Sequence, residues 1–92
     1  DDSEFAKQRG FVKCNPPLRT KAMLERLWQK LFENKIDFIT TDHAPWAPES
    51  KDKHNIFDNK SGLPGLETLL PLLYHEGVTR RGLDIQRFVS LT

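Results

Sequence analysis

Between Phe11 and Thr40 the hydrophobic period of the chain changes twice, and this restricts the fold more than any other feature. Phe11-Val12-Lys13-Cys14 is a short β-forming run. Asn15-Pro16-Pro17 ends it, because proline has no N–H to donate to a ladder. Residues 20–33 then set Met23, Leu24, Leu27, Trp28, Leu31 and Phe32 at alternating three-and-four spacing. That spacing predicts an amphipathic helix with this stripe buried and Thr20 as its N-cap. Glu25, Arg26, Gln29, Lys30 and Glu33 fall on the opposite face. Asn34-Lys35 turn the chain into a second β-forming run at residues 36–40. Strand, helix and strand in this order predict a βαβ unit with parallel strands, hence an α/β fold.

The flanks are simpler. Residues 1–9 read as a short polar helix or loop that Gly10 stops. Residues 46–62 are polar and too long for an ordinary connection, so they are expected to be functional or mobile, with Ile56-Phe57 pinning them to the body. Ser61-Gly62-Leu63-Pro64-Gly65 predicts a tight turn. A helix from Gly65 or Leu66 to about Glu76 follows, kinked or delayed by Pro71 and ended by Gly77. Asp84 caps a last helix with Ile85, Phe88, Val89 and Leu91 facing inward. Two parallel strands with their helices leave both sheet edges open. Residues 1–92 are therefore expected to be part of a larger α/β barrel and not to fold autonomously.

Composition excludes several classes. The net charge of +1 and the scattered cations make no electrostatic case for nucleic acid or a membrane surface. No apolar run reaches the length of a membrane span. The acidic start, Asp1-Asp2-Ser3-Glu4, is not that of a secretory leader. A lone cysteine, Cys14, excludes an internal disulfide and fits a reducing, cytoplasmic compartment. The helix pattern is compatible with a homo-oligomer but defines no interface for one.

The chemistry concentrates at Thr40-Thr41-Asp42-His43-Ala44-Pro45. An aspartate and a histidine at the end of a buried strand, opening into a long loop, is how barrel enzymes present reactive groups. Asp42 also fits a simple turn cap, with His43 packed beside it. Adjacent strand residues point to opposite faces, so one of the pair faces the interior, and Asp42 is the better candidate for a metal ligand and proton acceptor. A metal needs at least three ligands, and Cys14, His54 and His75 form no recognisable ligand spacing with Asp42. His54 reads as a solvated loop histidine, and His75 as a helix-end histidine suited to the dipole. Cys14 reads as a small buried strand residue. Arg19 fits an anion clamp or a pair with a nearby carboxylate.

Three stretches in order resemble the C-terminal part of a dihydroorotase and, more broadly, the cyclic amidohydrolases that include allantoinases and hydantoinases. They are Lys13-Cys14-Asn15-Pro16-Pro17-Leu18-Arg19, Ile36-Asp37 leading into Thr41-Asp42-His43-Ala44-Pro45, and Ser61-Gly62-Leu63-Pro64-Gly65-Leu66-Glu67-Thr68. The resemblance implies the last portion of a metal-dependent (β/α)8 TIM-type barrel. Residues 11–15 would be strand seven, 20–33 its helix and 36–41 strand eight. It implies that Asp42 contacts a divalent metal, zinc in this reading, and shuttles the proton of the attacking hydroxide. Asn15 would help hold a small cyclic amide or ureide, and Leu63, Pro64 and Gly65 would offer backbone to its ring. The remaining metal ligands of the family match no position in residues 1–92.

The resemblance is not uniform. Dihydroorotases commonly carry a second histidine after Asp-His-Ala-Pro, contacting the substrate carboxylate, where this chain has Trp46. Indole donates one hydrogen bond and is never cationic. Lys13-Cys14 and Pro48-Glu49-Ser50-Lys51 lean towards allantoinases, whereas Asn15, Ala44 and Gly65-Leu66-Glu67-Thr68 lean towards dihydroorotases. The expected function is dihydroorotase-like ring opening in pyrimidine biosynthesis. The alternatives are an allantoinase or hydantoinase, a catalytically inactive dihydroorotase-like scaffold, and a small protein that only binds partners.

Overall fold

A computed structural model describes residues 1–92. Helix α1 (Glu4–Gln8) runs into a 3-10 turn at Arg9–Val12. Helix α2 (Lys21–Phe32) follows, and then a long irregular stretch carrying 3-10 turns at Pro48–Ser50 and Ile56–Asp58. Helix α3 (Leu69–Leu73) continues as a π-helical segment, Tyr74–Thr79, and α4 (Ile85–Leu91) completes the chain. No helix is long and apolar enough to cross a membrane.

The two predicted strands do not form a ladder. Phe11 and Val12 wind into the 3-10 turn, where the Lys13 N–H bonds Gly10 O at 3.1 Å. Pro16 and Pro17 offer no donor. The Lys13 carbonyl is taken by the N–H of Gly62 at 3.0 Å. Residues 36–40 run without strand pairing, and the Ile39 N–H bonds Leu91 O at 2.7 Å. An extended run without partners on both sides has nothing to hold it as a strand. The segment is instead hung between helices: Ile36 and Ile39 pack on Leu31, Leu83 and Leu91, and the Arg87 guanidinium donates to Ile36 O.

Helix α2 forms where its period predicts. Thr20 caps it, its hydroxyl accepting from Met23 N at 3.3 Å. Its stripe is only partly covered. Leu31 is buried and Trp28 half-buried, whereas Leu27 is 60% exposed, with Met23, Leu24 and Phe32 also open. Coverage comes at the Trp28–Leu31 end, where Leu31 joins Leu83 and Leu91 in the core and Trp28 packs against it. There Gly77, expected to end α3, lies against Trp28 instead: a Cβ at Gly77 would meet the indole at 3.4 Å and Leu83 at 3.2 Å. The helix passes Gly77 and stops at Gly82, whose φ of 70° is left-handed. The delayed start does occur, since Pro71 sits in the first turn of α3, where its missing N–H costs nothing.

Arg81 clamps α2 to the helical segment after α3. Its guanidinium stacks 4.5 Å from the Trp28 ring centre and donates to Glu76 Oε2 at 2.8 Å and to Glu25 Oε1 at 3.0 Å. On α4, Asp84 caps as expected, accepting from Gln86 N and Arg87 N. Leu91 is fully buried and Phe88 packs edge-on against Tyr74, but Ile85 and Val89 face solvent.

Candidate active-site cleft

The run Thr40–Pro45 has no strand to end, yet it still turns sharply. Thr41 Oγ1 accepts from His43 N at 3.2 Å, and Asp42 adopts a left-handed φ of 45°, which aspartate tolerates better than most residues. The turn bond is thus Thr41's, which displaces the reading of Asp42 as a cap. The Asp42 carboxylate is exposed and lines a cleft of about 210 Å³ with Asn15, Cys14, Thr41, Ser61 and Leu63. Asp42 and His43 do face apart. His43 lines a neighbouring hollow with Pro64, Gly65 and Leu66.

Residues from all three sequence motifs therefore converge. Asn15, Asp42 and Leu63 share the cleft, while Pro64 and Gly65 form its neighbour's wall. Asn15 Nδ2 donates to Ser61 Oγ at 3.1 Å, and Ala44 N–H donates to Leu63 O at 3.0 Å. Trp46 is outside the cleft's lining and is tied to it through Ser61. Its Nε1–H donates to Ser61 O at 3.0 Å, and the Lys60 ammonium lies 5.4 Å from its ring centre.

The long loop is held by two lysines, not by the apolar pair expected to pin it. Phe57 is 85% exposed and Ile56 is open. Their backbone is what is held: Lys13 Nζ donates to Ile56 O at 2.9 Å and to Asn59 O at 2.6 Å. Lys51, 5% exposed, reaches inward to Lys13 O at 2.9 Å and to Gly62 O. Burial holds its pKa below the usual lysine value. Asn59 is buried too, bonding Lys53 through both its amide atoms. Gly10, expected to stop a helix, lies beneath this loop, where a Cβ would come within 2.5 Å of Lys51 O.

Of Cys14, His54 and His75, only Cys14 lines the cleft. Cys14 is half-buried and its Sγ–H points to Pro16 O at 3.4 Å. His75 is exposed, 3.9 Å from Glu76, and His54 sits on the loop surface. No group of three or more His, Cys, Asp or Glu side chains comes together. Asp42 has the chemistry of one hard-cation ligand, not of a complete set.

No protein-family profile matches the chain. It is 35% identical over 80 residues to an allantoinase of Bacillus licheniformis, covering 87% of this chain and 18% of that protein. It is 34% identical over 90 residues to an allantoinase of Rubrobacter xylanophilus, covering 98% of this chain and 20% of that protein. Its structure superposes on a D-hydantoinase (dihydropyrimidinase) from Thermus sp. with TM-score 0.85 and 36% identity, over 94% of this chain and 20% of the other. An L-hydantoinase (dihydropyrimidinase) from Arthrobacter aurescens gives TM-score 0.90 at 29% identity, over 98% of this chain and 20% of the other. The chain thus spans about a fifth of the length of the relatives it matches.

Proposed function

We propose that residues 1–92 belong to a larger metal-dependent cyclic amidohydrolase with a (β/α)8 barrel, and that the Asn15–Asp42–Leu63 cleft is part of its substrate site. The observation that carries this is the convergence of residues from three separate motifs on one cleft. The likeness to allantoinases and hydantoinases supports hydrolysis of a cyclic amide.

A divalent cation, zinc in this reading, would supply Lewis-acid polarisation of the ring carbonyl and of water. Asp42 is the one ligand these residues offer it, and the others come from outside residues 1–92. The exposed Asp42 carboxylate accepts the proton that water gives up on attack and returns it to the departing ring nitrogen. Asn15, steadied by Ser61, and the backbone of Leu63-Pro64-Gly65 hold the planar ring.

Trp46 bears on the substrate. Its only donor is already spent on Ser61 O, so it offers the ring an apolar wall and no charge. This favours a ureide of the allantoin or hydantoin kind. The reading of dihydroorotate as substrate is favoured by Lys60, whose ammonium beside Trp46 brings the positive charge that indole lacks. The test is ring opening of allantoin, hydantoin and dihydroorotate, measured side by side on the zinc-loaded full-length protein. Preference for allantoin or hydantoin is expected. Preference for dihydroorotate reassigns the substrate, and no ring opening of any of them leaves the inactive scaffold as the reading.

A further inference from the structure

The geometry points to His43 as a positioning residue that fixes the substrate-contacting turn relative to Asp42, an inference that rests on the amidohydrolase reading of the cleft. His43 Nδ1 accepts from two consecutive backbone donors, Gly65 N–H at 3.0 Å and Leu66 N–H at 3.1 Å. Nδ1 is an acceptor only when it carries no proton, so these bonds place the imidazole hydrogen on Nε2. The next residue completes the tie, with Ala44 N–H donating to Leu63 O at 3.0 Å. On the other side of Asp42, Thr41 lies in van der Waals reach of Gly65, on which a Cβ would stand 3.4 Å from its own Cβ.

Asp42 is thereby flanked on both sides by residues that grip the 63–66 turn. His43 itself stays outside the cleft that Asp42 lines. Its contribution is to set where the turn's backbone meets the ring while Asp42 handles the proton. Removing the grip therefore weakens ring binding more than it slows the chemistry.

The side-chain geometry gives a selective test in the full-length protein. Asparagine carries its Oδ1 acceptor where histidine has Nδ1, whereas glutamine carries its acceptor one atom further out, near Nε2. His43→Ala and His43→Gln are expected to raise KM for the cyclic amide about tenfold, the effect of losing a shared hydrogen bond, with kcat little changed. Hydrogen–deuterium exchange of the 61–68 peptide is expected to quicken about tenfold in the same two variants. His43→Asn keeps both near wild type. Rescue by glutamine and not by asparagine overturns the assignment, as does a fall in kcat alone. Wild-type exchange in the glutamine variant also overturns it. Exchange reads the grip whether or not the protein opens a ring, so it separates failure of this inference from failure of the amidohydrolase reading. If the alanine chain does not fold, the asparagine and glutamine pair carries the test alone.

Discussion

A Cβ on Gly62 would fall 2.6 Å from both the Cβ and the carbonyl oxygen of Ala44. The two residues are where the loop crosses the Asp42 turn, and Gly62 holds a left-handed φ of 143° there. Gly62→Ala must therefore push the loop off the cleft, because backbone atoms cannot rotate away. Gly82→Ala is the control, since its φ of 70° strains alanine but nothing lies within 4 Å. We expect Gly82→Ala to cost about 1 kcal/mol in stability with activity kept. Gly62→Ala is expected to cost more and to raise KM. Equal effects on KM would contradict the crossing.

Asp42→Asn keeps the shape of the residue and its tolerance of left-handed backbone, so the fold is expected to survive. It removes the proton acceptor, and turnover of the full-length enzyme should fall about 10³-fold or more. Circular dichroism and initial rates check both halves. A near-normal rate would remove Asp42 from the chemistry.

Lys51→Met preserves the buried stem and deletes the ammonium that bridges Lys13 O and Gly62 O. The expected loss is about 1–3 kcal/mol in thermal or denaturant unfolding, because the Gly62 carbonyl is left without a donor and the Lys13 carbonyl keeps only the Gly62 N–H. The variant also changes the pH dependence. Burial lowers the Lys51 pKa in the folded state below the usual lysine value. Stability linked to this group therefore rises as pH climbs from the lowered folded value towards the unfolded one. In Lys51→Met that alkaline slope disappears. An unchanged melting curve would mean the loop is held elsewhere.

Glu76 titrates in the opposite sense. Hydrogen bonds from Arg81, then from Arg80, hold its carboxyl below the usual carboxylate range. Its stabilising contribution is complete above the unfolded carboxylate pKa and is lost as pH falls through the lower folded value. Glu76→Gln should melt below wild type at neutral pH, and the gap should close as the solution is acidified. A gap that stays constant with pH would show that the pair contributes packing and not charge.

The parts of this molecule that could be read in advance are those set by near neighbours in the chain. Thr20, Pro71 and Asp84 act within a few residues of themselves, and α2, the late start of α3 and the α4 cap follow. The convergence of Asn15, Asp42 and Leu63 was legible only through the family resemblance, since no local pattern links them. The runs at 11–14 and 36–40 form no strands within residues 1–92, because a β-forming run declares an appetite for partners and cannot supply them. Lys51 was missed because Glu49-Ser50-Lys51-Asp52-Lys53 looks like a solvated charge run, and its acceptors lie 38 and 11 residues away. His43 was set aside because its two donors sit 22 and 23 residues downstream. Gly77 has the look of a terminator, but its absent side chain makes room for Trp28 and not for a turn.

The same distances set an order of assembly. Each helix closes through bonds between near neighbours, whereas Arg81 ties α2 to the later helices across 56 residues and the cleft joins Asn15 to Ser61 across 46. Closing such loops costs entropy before any contact rewards it. Helical body and cleft are therefore both joined after the helices themselves. Asn15→Ala is expected to hasten unfolding and leave the refolding rate nearly untouched, as stopped-flow measurements would show. A ring bound in the proposed site would tie Asn15, Asp42 and Leu63 together and so lengthen the lifetime of the native state.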